Sequence, residues 1–387
     1  MRSAVIVDAV RTPVGRRNGI LKDWHPVDLS GHVISALVER TGVDPTRIDD
    51  VIWGCVSQTG EQTGNIGRFA ALAAGLPEEI PGVSIDRQCG SSQQAVHFAA
   101  QAVMAGVQDI IVAGGVESMT RIPMGITFSQ GPGLAFGPKV MKRYDGRLVP
   151  QGLSAEMMAE KWGASRTRLD EIATDSHTRA ARAIDEGRFD TQIVPVAVKD
   201  ETGEISMIST DEGLRRGTSV EKLANLKPAF KEDGVVTAGN SSQISDGSGA
   251  LLVVGEDVAE KEGWEPMARV TQFSVVGDDP VIMLSAPIPA TFKVLEKAGL
   301  EVGDIDLFEM NEAFASVVTA WLIETGADWE KVNVNGGAIA LGHPLGASGS
   351  VLMTRLVHEM ARTGARYGLQ AMCEGGGTSN ATILERI

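Results

Sequence analysis

Residues 35–51, SALVERTGVDPTRIDDV, and residues 292–308, FKVLEKAGLEVGDIDLF, are the two stretches whose comparison decides the fold. An offset of 257 lays Glu39 on Glu296, Gly42 on Gly299, Ile48 on Ile305 and Asp49 on Asp306. In both copies an apolar helical pattern stops at a glycine, which suits a helix C-cap, and a short connection leads into a strand. Further along, a helical run stops at Gly106 before DIIVAGG, and LMTRLVHEMARTG stops at Gly364 before YGLQAM, an offset of 258. Two offsets agreeing within one residue point to an internal duplication.

Each half alternates strands with helices, a pattern that predicts a mainly parallel sheet covered by helices. Between the halves, residues 119–150 hold Pro123, Gly125, Gly131, Pro132, Gly133, Gly137 and Pro138 and predict an excursion with little regular structure. Residues 153–187 return to helical periodicity in SAEMMAEKW and SRTRLDEIATDSHTRAARAIDEG. The chain is expected to rejoin the sheet near SDGSGALLVVGED. The predicted organisation is a first half of residues 1–118 plus 243–265, an insertion of residues 119–242, and a second half of residues 266–387.

Composition limits the function. The 387 residues are 43% hydrophobic and 22% charged, enough apolar material for a large core and too much for general disorder. No apolar stretch reaches the roughly 18 residues a membrane span needs. The start, MRSAVIVDAVRTPVG, lacks a signal-peptide pattern. A net charge of −15 opposes nucleic-acid binding and docking on anionic membranes, so an anionic ligand needs a local positive patch. Three cysteines, Cys55, Cys89 and Cys373, argue against a disulfide framework and for a reducing cytoplasm.

The chemistry concentrates in VSIDRQCGSSQQAVHFAAQAVMAG, residues 83–106. Cys89 falls at a strand-to-helix turn, with Ser91 or Ser92 as the expected N-cap. A helix N-terminus stabilises negative charge and should lower the thiol pKa, which makes Cys89 a nucleophile candidate. An inert buried thiol fits the segment equally well. In NVNGGAIALGHPLGASGSVLMTRL, His343 lies between glycine-rich turns ahead of a helix and is a candidate general base. Surface or structural roles are assigned to His25, His32, His97, His177 and His358. Cys373 precedes Gly375-Gly376-Gly377, where bare backbone N–H groups can approach a substrate. Cys55, in DDVIWGCVSQ, is expected to be buried and inert. There is no phosphate-loop or dinucleotide glycine motif, no C-x-x-C or H-E-x-x-H metal pattern, and no G-x-S-x-G elbow. No metal and no permanently bound cofactor is expected.

Taken together, VDAVRTPVG, QCGSSQQAV, AGGVESM, TAGNSSQISDG, NEAF, GGAIALGHPLGASG and CEGGG resemble the thiolase family, in its order and over the whole chain. The resemblance implies an α/β thiolase fold, two duplicated halves stacked as a five-layer αβαβα sandwich. It implies an acyltransferase that cleaves a 3-oxoacyl-CoA with CoA, giving acetyl-CoA and a shortened acyl-CoA. Cys89 matches the family nucleophile, His343 its activating base, and Cys373 the residue that protonates the departing enolate. The same resemblance implies that Asn311 of NEAF holds a water which, with His343, meets the enolate oxygen, and that the N–H groups of Cys89 and Gly375 meet the acyl oxyanion. Arg215 matches a contact to the adenosine-phosphate end of CoA, with Arg216 the alternative and Lys227 a possible supplement. Ser242 matches a pantetheine contact. Family likeness also implies a homodimer or a homotetramer built as a dimer of dimers.

Three departures from the short-chain biosynthetic pattern favour a degradative enzyme acting on fatty-acid or sterol-derived chains. Gln151-Gly152 replaces Met-Gly, Met283-Leu284-Ser285-Ala286-Pro287 replaces Met-Gly-Thr-Gly-Pro, and Glu374 replaces a small or apolar residue. Biosynthetic acetoacetyl-CoA formation is the alternative. A decarboxylating ketoacyl-synthase relative would carry a second histidine where this chain has Asn311, and a non-catalytic lipid carrier would not need Cys89, His343 and Cys373 together.

Overall fold

The structure is a computed structural model that describes residues 2–387. Its first half supplies strands β1 (Ala4–Arg11), β2 (Asp50–Gly54), β3 (Gly82–Ile85), β4 (Ile110–Ser118) and β5 (Ser245–Gly255). The second half supplies β6 (Ala268–Gly277), β7 (Leu307–Met310), β8 (Tyr367–Glu374) and β9 (Thr378–Arg386). The hydrogen-bonded order is β7-β8-β9-β6-β1-β5-β4-β2-β3. The strands of the two halves are joined where Val5 and Ile6 of β1 pair with Arg269 and Ala268 of β6.

Strand directions make the duplication concrete. In the first half β2–β4 is parallel while β4–β5 and β5–β1 are antiparallel. In the second half β7–β8 is parallel while β8–β9 and β9–β6 are antiparallel. The expectation of a mainly parallel sheet is therefore corrected: the sheet is mixed. The physical reason is connection length. Gly375-Gly376-Gly377 turns β8 straight back into β9, with φ of 83° at Gly376 and 78° at Gly377, and a tight hairpin allows only antiparallel pairing.

The repeated sequence does the same work twice. Gly42 and Gly299 end their helices in the left-handed conformation, at φ 63° and 67°. Asp49 accepts the backbone N–H groups of Asp109 and Ile110, and Asp306 accepts those of Arg366 and Tyr367. Each aspartate thereby pins the neighbouring strand at its start.

Helices α1 (Ser91–Met104) and α2 (Ser348–Thr363) lie between the two half-sheets. Val96, Ala99 and Val103 of α1 and Met353, Leu356 and Met360 of α2 share one core with Ile6, Leu251, Val253 and Leu384. Alternate strand residues face outward: Val5, Leu252 and Val254 pack under the helix Pro26–Thr41, through its Leu29, Val33 and Leu37. On the other side Phe308, Leu369 and Ile383 pack against Val294, Val318 and Trp321 of the helices Pro287–Ala298 and Ala315–Thr325. Helix, sheet, helices, sheet and helix give five layers, which is why strands such as β5 are apolar on both faces. Opening a cavity in the middle layer by Leu356→Ala would cost about 2–5 kcal/mol.

Between β4 and β5 the chain passes through two short helices, Ile126–Ser129 and Pro138–Arg143, where little regular structure was expected. Two longer ones follow, Gln151–Lys161 and Arg166–Asp185. A buried ion pair, Arg11–Asp211 at 2.7 Å, fastens this passage to β1. Asp211 also accepts the N–H of Val14, so residues 211–215 are held against the turn after β1. No helix among the described residues is long and apolar enough to cross a membrane.

Candidate active site

Three chain turns converge at the inner ends of α1 and α2. The first carries Cys89. Gln88 takes the left-handed conformation at φ 48°, and α1 begins at Ser91 with Gly90 as its N-cap. The expected serine cap is corrected: Ser91 Oγ donates to Gln88 O and accepts from Arg87 N, while Ser92 Oγ accepts from Ser350 N and ties α1 to α2. The serines brace the turn and the central helices rather than the helix end.

The second turn is the loop of His343. Gly346 N–H donates to Glu117 Oε2 at 2.9 Å, and the same carboxylate accepts from Val56 N, Ser57 N and Gln62 Nε2. One buried side chain of β4 therefore fixes the histidine loop to the segment after β2. His343 Nδ1 lies 2.6 Å from Ser348 Oγ, whose hydrogen is directed to Pro344 O at 2.9 Å. A hydroxyl has one proton to give, so it accepts from Nδ1–H. This tautomer leaves Nε2 unprotonated, and Nε2 is buried with no protein partner.

The third turn carries Cys373, Glu374 and Gly375. A Cβ on Gly375 would lie 2.8 Å from Gln88 Oε1, and one on Gly90 would run into Glu374. The turns of Cys89 and Cys373 thus pack face to face, with glycine on both sides of the contact. Asn311 follows β7 and donates from Nδ2 to Cys373 Sγ at 3.7 Å, with Oδ1 left without a protein partner. Cys89 shares one apolar cluster with Leu345 of the histidine loop and with Met372, the neighbour of Cys373.

Burial sets the protonation states. It pushes the Cys89 thiol well above its ordinary value, with Cys373 and Glu374 adding to the effect. Burial likewise raises Cys373 to about 12, against the pull of the Asn311 hydrogen bond. His343 is driven down to about 4 by burial. The expectation of a thiolate favoured by the helix terminus is therefore corrected. Removal from water disfavours the charged form of both thiols and of the imidazole.

A cavity of about 600 Å³ opens onto this place. His343, Ser242 and Arg215 line it together with Met119 and Leu345, which belong to the apolar cluster of Cys89, while Cys89 and Cys373 themselves lie outside the lining. Arg216 is engaged with Asp185 through two hydrogen bonds, whereas Arg215 lines the cavity. Lys227 is not among the lining residues. Sequence reasoning missed Arg16 and Arg17, which also line the cavity and follow directly on VDAVRTPVG; their adjacency was the available signal. Three arginines against Glu212 provide the positive patch that a chain of charge −15 needs for an anionic ligand. Gln151, Phe230 and Phe314 line the same cavity.

The remaining candidates fall elsewhere. Cys55 is buried in the outer core of the first half, and all three cysteines are free thiols. His25 caps the helix Pro26–Thr41, His32 Nε2 pairs with Pro195 O, and His97 Nε2 with Thr382 Oγ1. His177 accepts the Arg215 N–H, and His358 pairs with Ala9 O. These are structural positions. No group of side chains among the described residues is arranged to hold a metal ion.

Comparison with known proteins gives the family of the whole chain. The family model for the thiolase N-terminal domain matches residues 4–257, and that for the thiolase C-terminal domain matches residues 264–386. The chain is 49% identical to steroid 3-ketoacyl-CoA thiolase FadA6 of Mycobacterium tuberculosis, covering 100% of this chain and 95% of that protein. It is 45% identical to the 3-ketoacyl-CoA thiolase of Aliivibrio fischeri over the full length of both. The crystal structure of Bacillus anthracis acetyl-CoA acetyltransferase superposes with a TM-score of 0.92 at 41% identity, covering 100% of this chain and 99% of that one.

Proposed function

The chain belongs to the thiolase family, and from that premise we propose that it degrades 3-oxoacyl-CoA, using CoA to release acetyl-CoA and a shortened acyl-CoA. It is an acyltransferase. The observation that carries the reading is the packing of the Cys89 turn against the Cys373 turn and against Leu345 of the histidine loop, beside a cavity that His343 and Leu345 line while the two cysteines do not.

In the proposed mechanism, His343 Nε2 takes the Cys89 proton as Sγ attacks C3 of the substrate. Deprotonation at the moment of attack suits a thiol that burial keeps neutral at rest. The C2–C3 bond breaks, its electron pair stays on C2 as the acetyl-CoA enolate, and Cys373 delivers a proton to C2. After acetyl-CoA leaves, the Cys373 thiolate takes the proton of incoming CoA. The CoA sulfur attacks the acyl carbon, the bond to Cys89 breaks, and the imidazolium returns its proton to Cys89. Oxyanion stabilisation falls to the N–H groups of Cys89 and Gly375, and enolate stabilisation to His343 and a water held by Asn311. One such donor is worth about 10²–10³ in turnover.

Arg215 is proposed to meet the phosphate end of CoA, with Arg16 and Arg17 beside it, and Ser242 the pantetheine arm. Their place in one cavity with His343 supports this. Fatty-acyl or sterol-derived chains are the proposed substrates, supported by the names of the relatives and by Gln151 in the cavity wall. The division at residues 118, 242 and 265 and a cytoplasmic place are part of the same reading, the latter supported by three free thiols. So is a homodimer or homotetramer, supported by exposed apolar side chains such as Phe128 and Leu134 in the excursion.

Thiolysis rates for acetoacetyl-CoA against longer and ring-bearing 3-oxoacyl-CoAs test the substrate class. The longer substrates should turn over faster. Equal or better use of acetoacetyl-CoA would replace this reading with the biosynthetic one.

A further inference from the structure

Glu374 is the one departure in CEGGG that the reaction leaves unused. It ends β8, is fully buried, and accepts the Thr378 hydroxyl at Oε2, 2.6 Å away. Its Oε1 is buried with no partner. The same holds for Oδ1 of Asn380, whose Nδ2 donates to Gly90 O at 3.0 Å. Both orphan oxygens crowd one point, the place a Cβ on Gly90 would occupy: Asn380 Oδ1 is 2.8 Å from it and Glu374 Oε1 is closer. Two buried acceptors turned toward one spot repel unless a hydrogen lies between them. A proton on Glu374 Oε1 satisfies both.

We propose that Glu374 is a positioning residue acting as a neutral acid, donating its carboxyl proton to Asn380 Oδ1 and so holding the Cys89–Gly90 turn through the Asn380 amide. Ionised, the same group sets a negative charge beside the Cys89 sulfur and works against thiolate formation. Burial supports the neutral form, raising Glu374 to about 8. The Thr378 hydroxyl, Arg87 and the Asn380 backbone N–H pull that value down, and Asp86 pushes it up. Cys89 and Cys373 are the other titratable neighbours.

The proposal rests on Cys89 being the nucleophile, so its test has a readout that does not need turnover. In the full-length protein, iodoacetamide labelling of the Cys89 peptide is followed by mass spectrometry from about pH 6 to about pH 10. Glu374→Gln, which cannot ionise but keeps an N–H to donate, should label Cys89 about tenfold faster than the wild type near pH 10, where the wild-type carboxyl is ionised. Acyl transfer from acetyl-CoA to Cys89 at neutral pH should fall about tenfold in Glu374→Ala and recover to within about threefold in Glu374→Gln. A labelling profile in Glu374→Gln that overlays the wild type overturns the proposal. So does acyl transfer in that variant as slow as in Glu374→Ala, or in Glu374→Ala as fast as in the wild type. Should Glu374→Ala not fold, the labelling profile of Glu374→Gln decides alone. Failure of the nucleophile assignment is distinguishable, because the wild type itself would then carry no acyl group on Cys89.

Discussion

Replacing Ser348 by alanine isolates the tautomer of His343. Ser348 Oγ accepts from Nδ1 at 2.6 Å while giving its own hydrogen to Pro344 O, and this leaves Nε2 free to take the Cys89 proton. Without the hydroxyl, the ring has two choices. Either Nδ1–H stays buried and unpaired, or the proton moves to Nε2 and the base is lost. An orphaned buried donor costs about 1–3 kcal/mol, so acylation of Cys89 should slow by about 5- to 150-fold. Rapid-quench mass spectrometry of acyl-Cys89 formation at saturating acetyl-CoA measures this directly. The thermal midpoint serves as the control for folding. Acylation within twofold of wild type (a factor worth about 0.4 kcal/mol) in a folded Ser348→Ala protein would refute the reasoning. A change in KM alone would refute it too, since a tautomer effect belongs to the chemical step.

Cys373→Ala should still accept an acyl group from a simple thioester yet lose C–C cleavage; normal cleavage would remove its proton-transfer role. Asp211→Ala strands Arg11 in the core, where a broken buried pair costs about 3–5 kcal/mol, and it frees residues 211–215. Chemical denaturation should show that loss together with a raised KM for CoA, and an unchanged KM would separate the segment from CoA binding. His97, driven to about 3 by burial, tests the pH dependence. A histidine whose folded pKa lies below its unfolded value of about 6.5 contributes stability that is full above that pH and is lost as pH falls toward the folded value. The stability gap between wild type and His97→Gln should therefore shrink from about pH 6.5 downward. A gap constant over that range contradicts it.

The repeat was legible because its signals are local. Gly42 and Gly299 cap helices through their own backbone angles, and Asp49 and Asp306 sit a fixed short distance from them. The turns that carry Cys89, His343 and Cys373 were legible for the same reason, each being short and marked by glycine. Strand direction was not, since apolar periodicity is the same read forward or backward; only the Gly375–Gly377 hairpin carried a hint. The protonation state of Cys89 depends on what α1, α2 and the Cys373 turn bury together, and no local pattern encodes that. Arg215 and Arg216 are neighbours in sequence and became distinct only because Asp185, one helix away, takes up Arg216. Glu374 stood out as an unusual residue, but its meeting with Asn380 and Gly90 is made by the β8–β9 hairpin and α1 together.

The central claim is that one sulfur, that of Cys89, carries the acyl group while the sulfur facing it only moves a proton. Incubating the protein with a long-chain 3-oxoacyl-CoA in the absence of free CoA, then digesting it and weighing the cysteine peptides, tests this most directly. The account predicts acetyl-CoA in solution and the shortened acyl group on the peptide of Cys89. The same group on Cys373 or Cys55, or acetyl-CoA released with no acylated peptide, would contradict it.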